Sequence, residues 1–238
     1  VQHREFITHT GAWQGQPLSV ISTGIGTDNI DIVVNEIDAL ANIDLIRREP
    51  KTQLQQLTLV RLGTSGALQA DIAVDSLVAS SHGLGIDGLM PFYQANKTKE
   101  ETSMEEAFKA FLPPLAAVAH PYLFEGSHTL REKIARHDLL SGITLTCPGF
   151  YAPQGRKLRY NPVIEQLPLL AGAFRFEQHR VTNFEMETAG IYGLARVLGH
   201  RALSVNAIIA NRVSGQFSKQ PQATIDKLIR TVLERLFD

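Results

Sequence analysis

The chain has 238 residues, of which 44% are hydrophobic and 20% charged, and its formal net charge is −1. These values fit a single α/β domain and give no basic patch for nucleic acid or for membrane lipid. The single cysteine, Cys147, excludes an internal disulfide framework, and the eight histidines lack ligand spacing, so we expect no metal site. No apolar run is long enough to cross a bilayer, and we expect a cytoplasmic protein.

Hydrophobic periodicity predicts strands and helices that alternate along the chain. A hairpin over residues 6–23 precedes an amphipathic helix over 30–40, and a nearly continuous apolar strand over 201–209 is typical of one buried on both faces. This order favours a mixed, mostly parallel central sheet flanked by helices. The other predicted strands are 57–62, 76–80 and 142–147, and the other predicted helices are 104–111, 127–139, 162–173, 188–198 and 221–237.

Polar loops follow several of these strands. In α/β sheets, ligands bind outside the carboxyl ends of the strands. We therefore expect the loops to form one site at that edge. They cover residues 23–29, 61–66, 150–159, 184–187 and 211–212.

Two acidic residues, Glu185 and Glu187, lie where a strand ends and the helix from Thr188 begins. A carboxylate accepts hydrogen bonds from paired hydroxyls, and a ribose offers such a pair. Acids at this position can equally serve only to complement the positive end of a helix dipole. These residues alone leave both interpretations open.

Glycines occur in two of the loops. The run Arg61-Leu-Gly-Thr64-Ser-Gly66 predicts a turn whose backbone N–H groups, hydroxyls and arginine suit phosphate. The alternative is a strand-ending turn with a surface arginine. The run Gly24-Ile-Gly26 matches only half of a dinucleotide-binding fingerprint, because Asn29 replaces the third glycine. It fits better as a turn that approaches a small ligand closely.

The loop Phe150-Tyr-Ala-Pro-Gln154-Gly-Arg156 combines aromatic rings with an amide and a guanidinium. Gln154 can donate and accept hydrogen bonds, whereas Arg156 only donates, from a planar fork. The pair matches the edge of a planar base that carries carbonyl oxygens and an N–H, with a ring to stack on it. An ordinary polar surface loop is the alternative.

In this order, the motifs resemble the nucleoside phosphorylase family, and within it most closely the uridine phosphorylases. They span almost the whole chain, so we treat residues 1–238 as one nucleoside phosphorylase-like domain. The resemblance is carried by His3-Arg-Glu-Phe6, Ser22-Thr-Gly-Ile-Gly26, Arg61-Leu-Gly-Thr-Ser-Gly66, Phe150-Tyr-Ala-Pro-Gln-Gly-Arg156, Phe184-Glu-Met-Glu187 and Asn211-Arg212.

The resemblance implies a three-part site, with Arg61, Arg156 and Glu187 as its principal catalytic residues. Phosphate would be bound by Arg61, Thr64 and, from a neighbouring subunit, Arg4. Ribose would contact Thr64, Glu185, Met186 and Glu187, of which Glu187 holds the hydroxyls. The base would be stacked by Phe150 and read by Gln154 and Arg156, while Arg212 helps to hold their loop.

The implied reaction is the reversible phosphorolysis of a pyrimidine nucleoside to free base and (deoxy)ribose 1-phosphate. Phosphate is then a co-substrate, and no cofactor is expected. The resemblance also implies a homo-oligomer, a hexamer built from dimers whose sites are shared. Two alternatives remain, namely a purine nucleoside phosphorylase or nucleosidase on the same fold and a non-catalytic nucleoside-binding relative.

The chain departs from the family pattern at its beginning and in one loop. Family members carry a further strand and a Gly-Asp-containing phosphate loop upstream of His3-Arg-Glu-Phe6. Neither can be matched here, and we expect truncation or disorder of this part of a longer natural chain. The alternative is a chain that does not bind phosphate normally. Residues 83–102 are predicted to form an irregular insertion or a loop that faces another subunit.

Overall fold

The structure, a computed structural model, describes the backbone of residues 2–3 and 6–238 and the side chains from Phe6 onward. Arg4 lies outside the described residues, and its role in phosphate binding stays a prediction. Within the described part of the chain, no helix combines the length and apolar character that a membrane span requires.

The N-terminal strands form a small antiparallel sheet of their own. β2 (Phe6–Trp13) pairs with β3 (Gln16–Ser22) and with the short β1 (Gln2–His3). Gln14 and Gly15 connect β2 to β3 with positive φ angles of 50° and 79°, as in the hairpin turns that suit strand twist. The predicted hairpin is confirmed, with a tighter turn than expected. The next elements are α1 (Thr27–Asn42), β4 (Ile43–Asp44) and β5 (Glu49–Pro50).

Eight strands form the central sheet, namely β6 (Thr58–Ala67), β7 (Leu77–Gly85), β8 (Tyr122–Glu125), β9 (Leu140–Thr146), β10 (Arg175–Phe176), β11 (His179–Glu185), β12 (Arg201–Asn211) and β13 (Gln216–Phe217). They lie in the order β13-β12-β6-β11-β9-β7-β8, with β10 beside β11. Because β12 also pairs with β7, the strands β12, β6, β11, β9 and β7 close into a five-stranded barrel. The pairs β12–β6, β11–β9 and β7–β9 are parallel, and β11–β6 and β12–β7 are antiparallel. The mixed, mostly parallel sheet is confirmed, whereas its closure was not predicted.

Helices pack on the outside of the barrel. After α1 they are α2 (Lys99–Phe111), α3 (Pro113–Val118), α4 (His128–Ala135), α5 (Leu167–Gly172), α6 (Thr188–Leu198) and α7 (Pro221–Phe237). α6 approaches β7 so closely that a Cβ on Gly83 would lie 2.6 Å from the Cα of Ala189. α7 buries Leu228 and Val232 in the same core cluster as Val205 of β12.

Several predicted boundaries are wrong. The helix expected over 162–173 is reduced to α5, which begins at Leu167 and has Pro168 in its first turn. The segment 83–102 is irregular only over residues 86–98, and even there Met90–Phe92 form a 3₁₀ turn. α2 begins earlier than expected because Thr98 and Glu101 form a capping box at its start.

Candidate active site

A buried ion cluster lies at the carboxyl end of β11. Glu185 ends this strand, Glu187 precedes α6, and Arg61 reaches both from the neighbouring β6. The Nη2 atom of Arg61 is 3.0 Å from Oε2 of Glu185 and 2.6 Å from Oε2 of Glu187. The three side chains are only 13%, 2% and 10% exposed, so their charges interact in a partly water-excluded space.

Each group changes the pKa of its neighbours. Burial alone would lower the pKa of the Arg61 guanidinium, but Glu185 and Glu187 outweigh that effect and raise it. Burial, followed by the charge of Glu185, raises the pKa of Glu187 in spite of Arg61. Arg61 therefore stays charged, and further hydrogen-bond donors would stabilise the ionised form of Glu187 against its burial.

The Glu185 carboxylate has a structural role. It accepts hydrogen bonds from the Thr146 hydroxyl at 2.7 Å and from the backbone N–H groups of Glu187 and Thr188 at 2.9–3.1 Å. With Arg61 alongside, the roughly four lone-pair positions of a carboxylate are taken. Glu185 thus stabilises the start of α6, which is the helix-dipole interpretation of the acidic pair.

Glu187 has acceptor capacity to spare. Its Oε1 accepts a hydrogen bond from the backbone N–H of Gly26 at 2.8 Å, and its Oε2 accepts one from Arg61. Gly26 has a φ of 95°, which a residue with a side chain rarely adopts, and precedes the first turn of α1. The glycine turn thus lies against Glu187, and its close approach to a small ligand stays a prediction. The remaining lone pairs of Glu187 can accept the two hydroxyls of a sugar.

The predicted turn at residues 63–66 is wrong, because β6 continues as a strand to Ala67 and its backbone pairs with β12. The backbone N–H groups of this segment therefore do not form a phosphate-binding turn. The guanidinium of Arg61 lies over Gly63, where an added Cβ would be 2.5 Å from Cζ. The ring of Phe184 similarly lies over Gly66, where an added Cβ would be 2.8 Å from Cε1. The two glycines make room for side chains and do not bend the chain.

Phe184 connects the ion cluster to the loop predicted to read a base. It directly precedes Glu185, and its ring centroid lies 5.8 Å from Cζ of both Arg156 and Arg212. Burial, with a smaller contribution from the Arg212 charge, lowers the pKa of Arg156. The structure therefore brings the predicted base-binding arginines together on one side of the acidic pair.

Arg156 organises its own loop. Its guanidinium lies 3.7 Å from the centroid of the Phe150 ring and donates to the Phe150 carbonyl at 2.6 Å and to Oε1 of Gln154. Gln154 is buried, whereas the Phe150 side chain is exposed. The amide and guanidinium predicted to read a base are thus hydrogen-bonded to each other, and Arg156 covers one face of the ring that is expected to stack on a base.

Two further predicted site residues are close to the cluster in sequence. Thr64 is an exposed residue of β6, and strand alternation places its side chain on the opposite face from Arg61. Met186 is half-buried between the two glutamates. Their contacts with phosphate and sugar stay predictions.

Sequence reasoning missed the groups that hold Arg61. Its Nη1 donates to Oδ1 of Asn206 at 2.8 Å and to the Ser204 hydroxyl at 3.3 Å, both on β12. The available signal was the occurrence of two polar residues within the apolar run 201–209, since a buried amide requires partners.

The sequence matches the model of the phosphorylase superfamily over residues 1–236. The chain belongs to this superfamily. It is 32% identical over 226 residues to a uridine phosphorylase of Thermococcus kodakarensis, covering 91% of this chain and 66% of that protein. It is 23% identical to a DeoD-type purine nucleoside phosphorylase of Listeria monocytogenes, covering 98% of this chain and 81% of that protein.

A solved structure of a superfamily member gives the same fold. The Trypanosoma brucei nucleoside phosphorylase, described as showing uridine phosphorylase activity, superposes with a TM-score of 0.88 at 26% identity. The match covers 100% of this chain and 85% of that one. The single-domain fold is therefore that of nucleoside phosphorylases.

Gly63→Ala tests whether this glycine exists to accommodate Arg61. Because the clash is with a flexible side-chain end, we expect the barrel to fold and the guanidinium to move away from Glu187. A loss of about 1–3 kcal/mol in the free energy of unfolding is typical of such overpacking. A crystal structure and a denaturant titration measure both effects.

Gly11→Ala is the matched control, since a Cβ there meets nothing within 4 Å. An unmoved Arg61 in the Gly63→Ala structure would contradict the assignment.

Proposed function

We propose that this chain is a uridine phosphorylase, which cleaves uridine with inorganic phosphate into uracil and ribose 1-phosphate. The observation that carries the proposal is the spare acceptor capacity of Glu187 beside the buried Arg61. The paired Gln154 and Arg156 beyond Phe184 support it, as do the names of the similar proteins. No cofactor enters the proposed reaction, and phosphate is the second substrate.

The reaction separates charge along the glycosidic bond. By analogy with glycoside hydrolysis, the sugar passes through an oxocarbenium-like state while the base leaves with the bonding electron pair. Phosphate then attacks the anomeric carbon and forms the new C–O bond. The protein therefore needs negative charge near the sugar and hydrogen-bond donors near the base.

Glu187 serves the sugar. Its free lone pairs accept the two ribose hydroxyls, which fixes the ring relative to phosphate and base. Burial and the charge of Glu185 raise its pKa, so further hydrogen-bond donors would stabilise its ionised form. The hydroxyls supply such donors, so that binding orients the substrate and stabilises the charged form of Glu187.

Arg156 and Gln154 serve the base. A uracil leaving as an anion gathers charge on its carbonyl oxygens and N3, which donors placed in advance stabilise. The mutual hydrogen bond between Gln154 and Arg156 fixes the amide so that its NH₂ group remains available to a carbonyl. Arg156 covers one face of the Phe150 ring, so stacking of the base on that same face would require the arginine to move.

Phosphate needs more positive charge than Arg61 provides. One guanidinium faces two carboxylates in the cluster, so the local sum is −1 before any anion binds. We propose that Arg4 of a neighbouring subunit supplies the missing cation. This assignment makes the enzyme a homo-oligomer with shared sites, a hexamer by resemblance, and we propose a cytoplasmic role in pyrimidine salvage.

A substrate panel with and without phosphate tests the proposed function. Purified protein is expected to release uracil from uridine only when phosphate is present, with ribose 1-phosphate formed in equal amount. Release of base without phosphate would indicate a nucleosidase, and preference for inosine would indicate a purine enzyme. Binding of uridine without cleavage would indicate a non-catalytic relative.

Arg156→Ala is expected to reduce kcat/KM for uridine by roughly 100-fold or more, because one donor to a developing anion is lost. Steady-state kinetics measure the change, and circular dichroism checks the fold. Arg159→Ala removes a nearby exposed arginine that lies over Tyr160, and is expected to have little effect. Equal kinetics for Arg156→Ala and wild type would rule out the base-binding role.

Glu187→Gln and Glu185→Gln separate the two carboxylates. Glu187→Gln is expected to lower kcat roughly 100-fold while Tm is maintained, because the charge it removes is one that burial disfavours. Glu185→Gln is expected to lower Tm, because the cap of α6 loses its charge. Kinetics and thermal melts of both variants provide the measurement. A Glu187→Gln enzyme altered only in its KM for phosphate would contradict the ribose assignment.

A further inference from the structure

A continuous chain of hydrogen bonds crosses the interior of the barrel and ends on Arg61. From Asn206 Nδ2 it runs to the Ser80 hydroxyl at 3.1 Å and on to the Thr144 hydroxyl at 2.6 Å. It continues to Oδ1 of Asn183 at 3.0 Å, and Nδ2 of Asn183 donates to the Ser65 hydroxyl at 2.9 Å. β12, β7, β9, β11 and β6 contribute one residue each.

Donors and acceptors alternate in one direction along this series of hydrogen bonds. Arg61 can only donate, so the atom of Asn206 that faces it must be the carbonyl oxygen, which turns Nδ2 toward Ser80. Thr144 gives its one hydroxyl proton to Asn183, so Ser80 must donate to Thr144. Each group thereby fixes the orientation of the next, and successive polarisation strengthens the series.

Burial makes this orientation costly to change. Asn206, Ser80, Thr144 and Asn183 are fully buried, and a flipped Asn206 amide would aim its NH₂ group at a guanidinium. Such an arrangement leaves two buried donors facing each other without an acceptor. Asn206 is therefore held as a fixed acceptor beneath Arg61.

We infer that Asn206 is a positioning residue for phosphate binding, acting through Arg61. The inference rests on the proposed phosphorolysis. Arg61 is drawn to one side by Glu185 and Glu187, whereas Asn206 and Ser204 hold Nη1 on the other. Without the Asn206 acceptor, the guanidinium moves further toward the carboxylates and presents fewer donors to phosphate.

The test compares Asn206→Leu with Thr144→Val. Both replace a fully buried polar residue of the same chain by an apolar residue of similar size, but only Asn206 contacts Arg61. Asn206→Leu is expected to raise the KM for phosphate roughly tenfold or more, the scale of one hydrogen bond to a charged group, with a smaller change in the KM for uridine. The rise in Tm that phosphate produces in the wild type is expected to shrink with it.

Thr144→Val is expected to lower Tm but to keep the wild-type KM for phosphate and the wild-type Tm response to phosphate. Equal losses in both variants, or an unchanged KM for phosphate in Asn206→Leu, would overturn the inference. If Asn206→Leu does not fold, the smaller Asn206→Ala is judged by the same criteria. If the wild type cleaves uridine with phosphate and Asn206→Leu keeps the wild-type affinity for phosphate, only the positioning role is rejected. If the wild type shows no phosphate-dependent cleavage of uridine, the proposed function is rejected as well.

Discussion

The site depends on burying one guanidinium between two carboxylates without leaving any of the three charges unpaired. Removal of such groups from water is costly unless their hydrogen bonds are satisfied within the protein. Arg61 meets this condition through Glu187 on one side and Asn206 on the other. Gly63 has to lack a side chain because the guanidinium lies over it. The composition of β6 and β12 follows from this requirement.

The two glutamates show how position divides the work of identical side chains. Glu185 is the last strand residue, and its carboxylate turns back onto the N–H groups that open α6, so its capacity is consumed by the fold. Glu187 stands two residues later, where the only backbone donor it meets is that of Gly26 among the described contacts. A carboxylate needed for chemistry must keep lone pairs free, and the fold leaves them free only on the second acid.

Local sequence signals predicted local structure well. The bounds of α7 and the strand character of β12 follow from the sequence pattern alone, and the acidic pair was located correctly at the junction of β11 and α6. The extended conformation of Gly63 and Gly66 could not be predicted, because its cause lies in two side chains, Arg61 and Phe184, that pack over the glycines. Closure of the barrel and the role of Asn206 depend likewise on contacts between distant strands, which no local pattern records.

The two halves of the proposed site are built on different supports. The sugar and phosphate half stands on barrel strands joined by a buried polar chain that includes Asn206, whereas the base half is the loop of Phe150, with its aromatic side chain exposed. A loop tolerates changes in length and sequence that a barrel strand does not. Superfamily members named for uridine and for purine nucleosides can therefore share one fold. On the proposed function, the barrel holds the groups that act on sugar and phosphate, and the choice of base is left to residues such as Gln154 and Arg156.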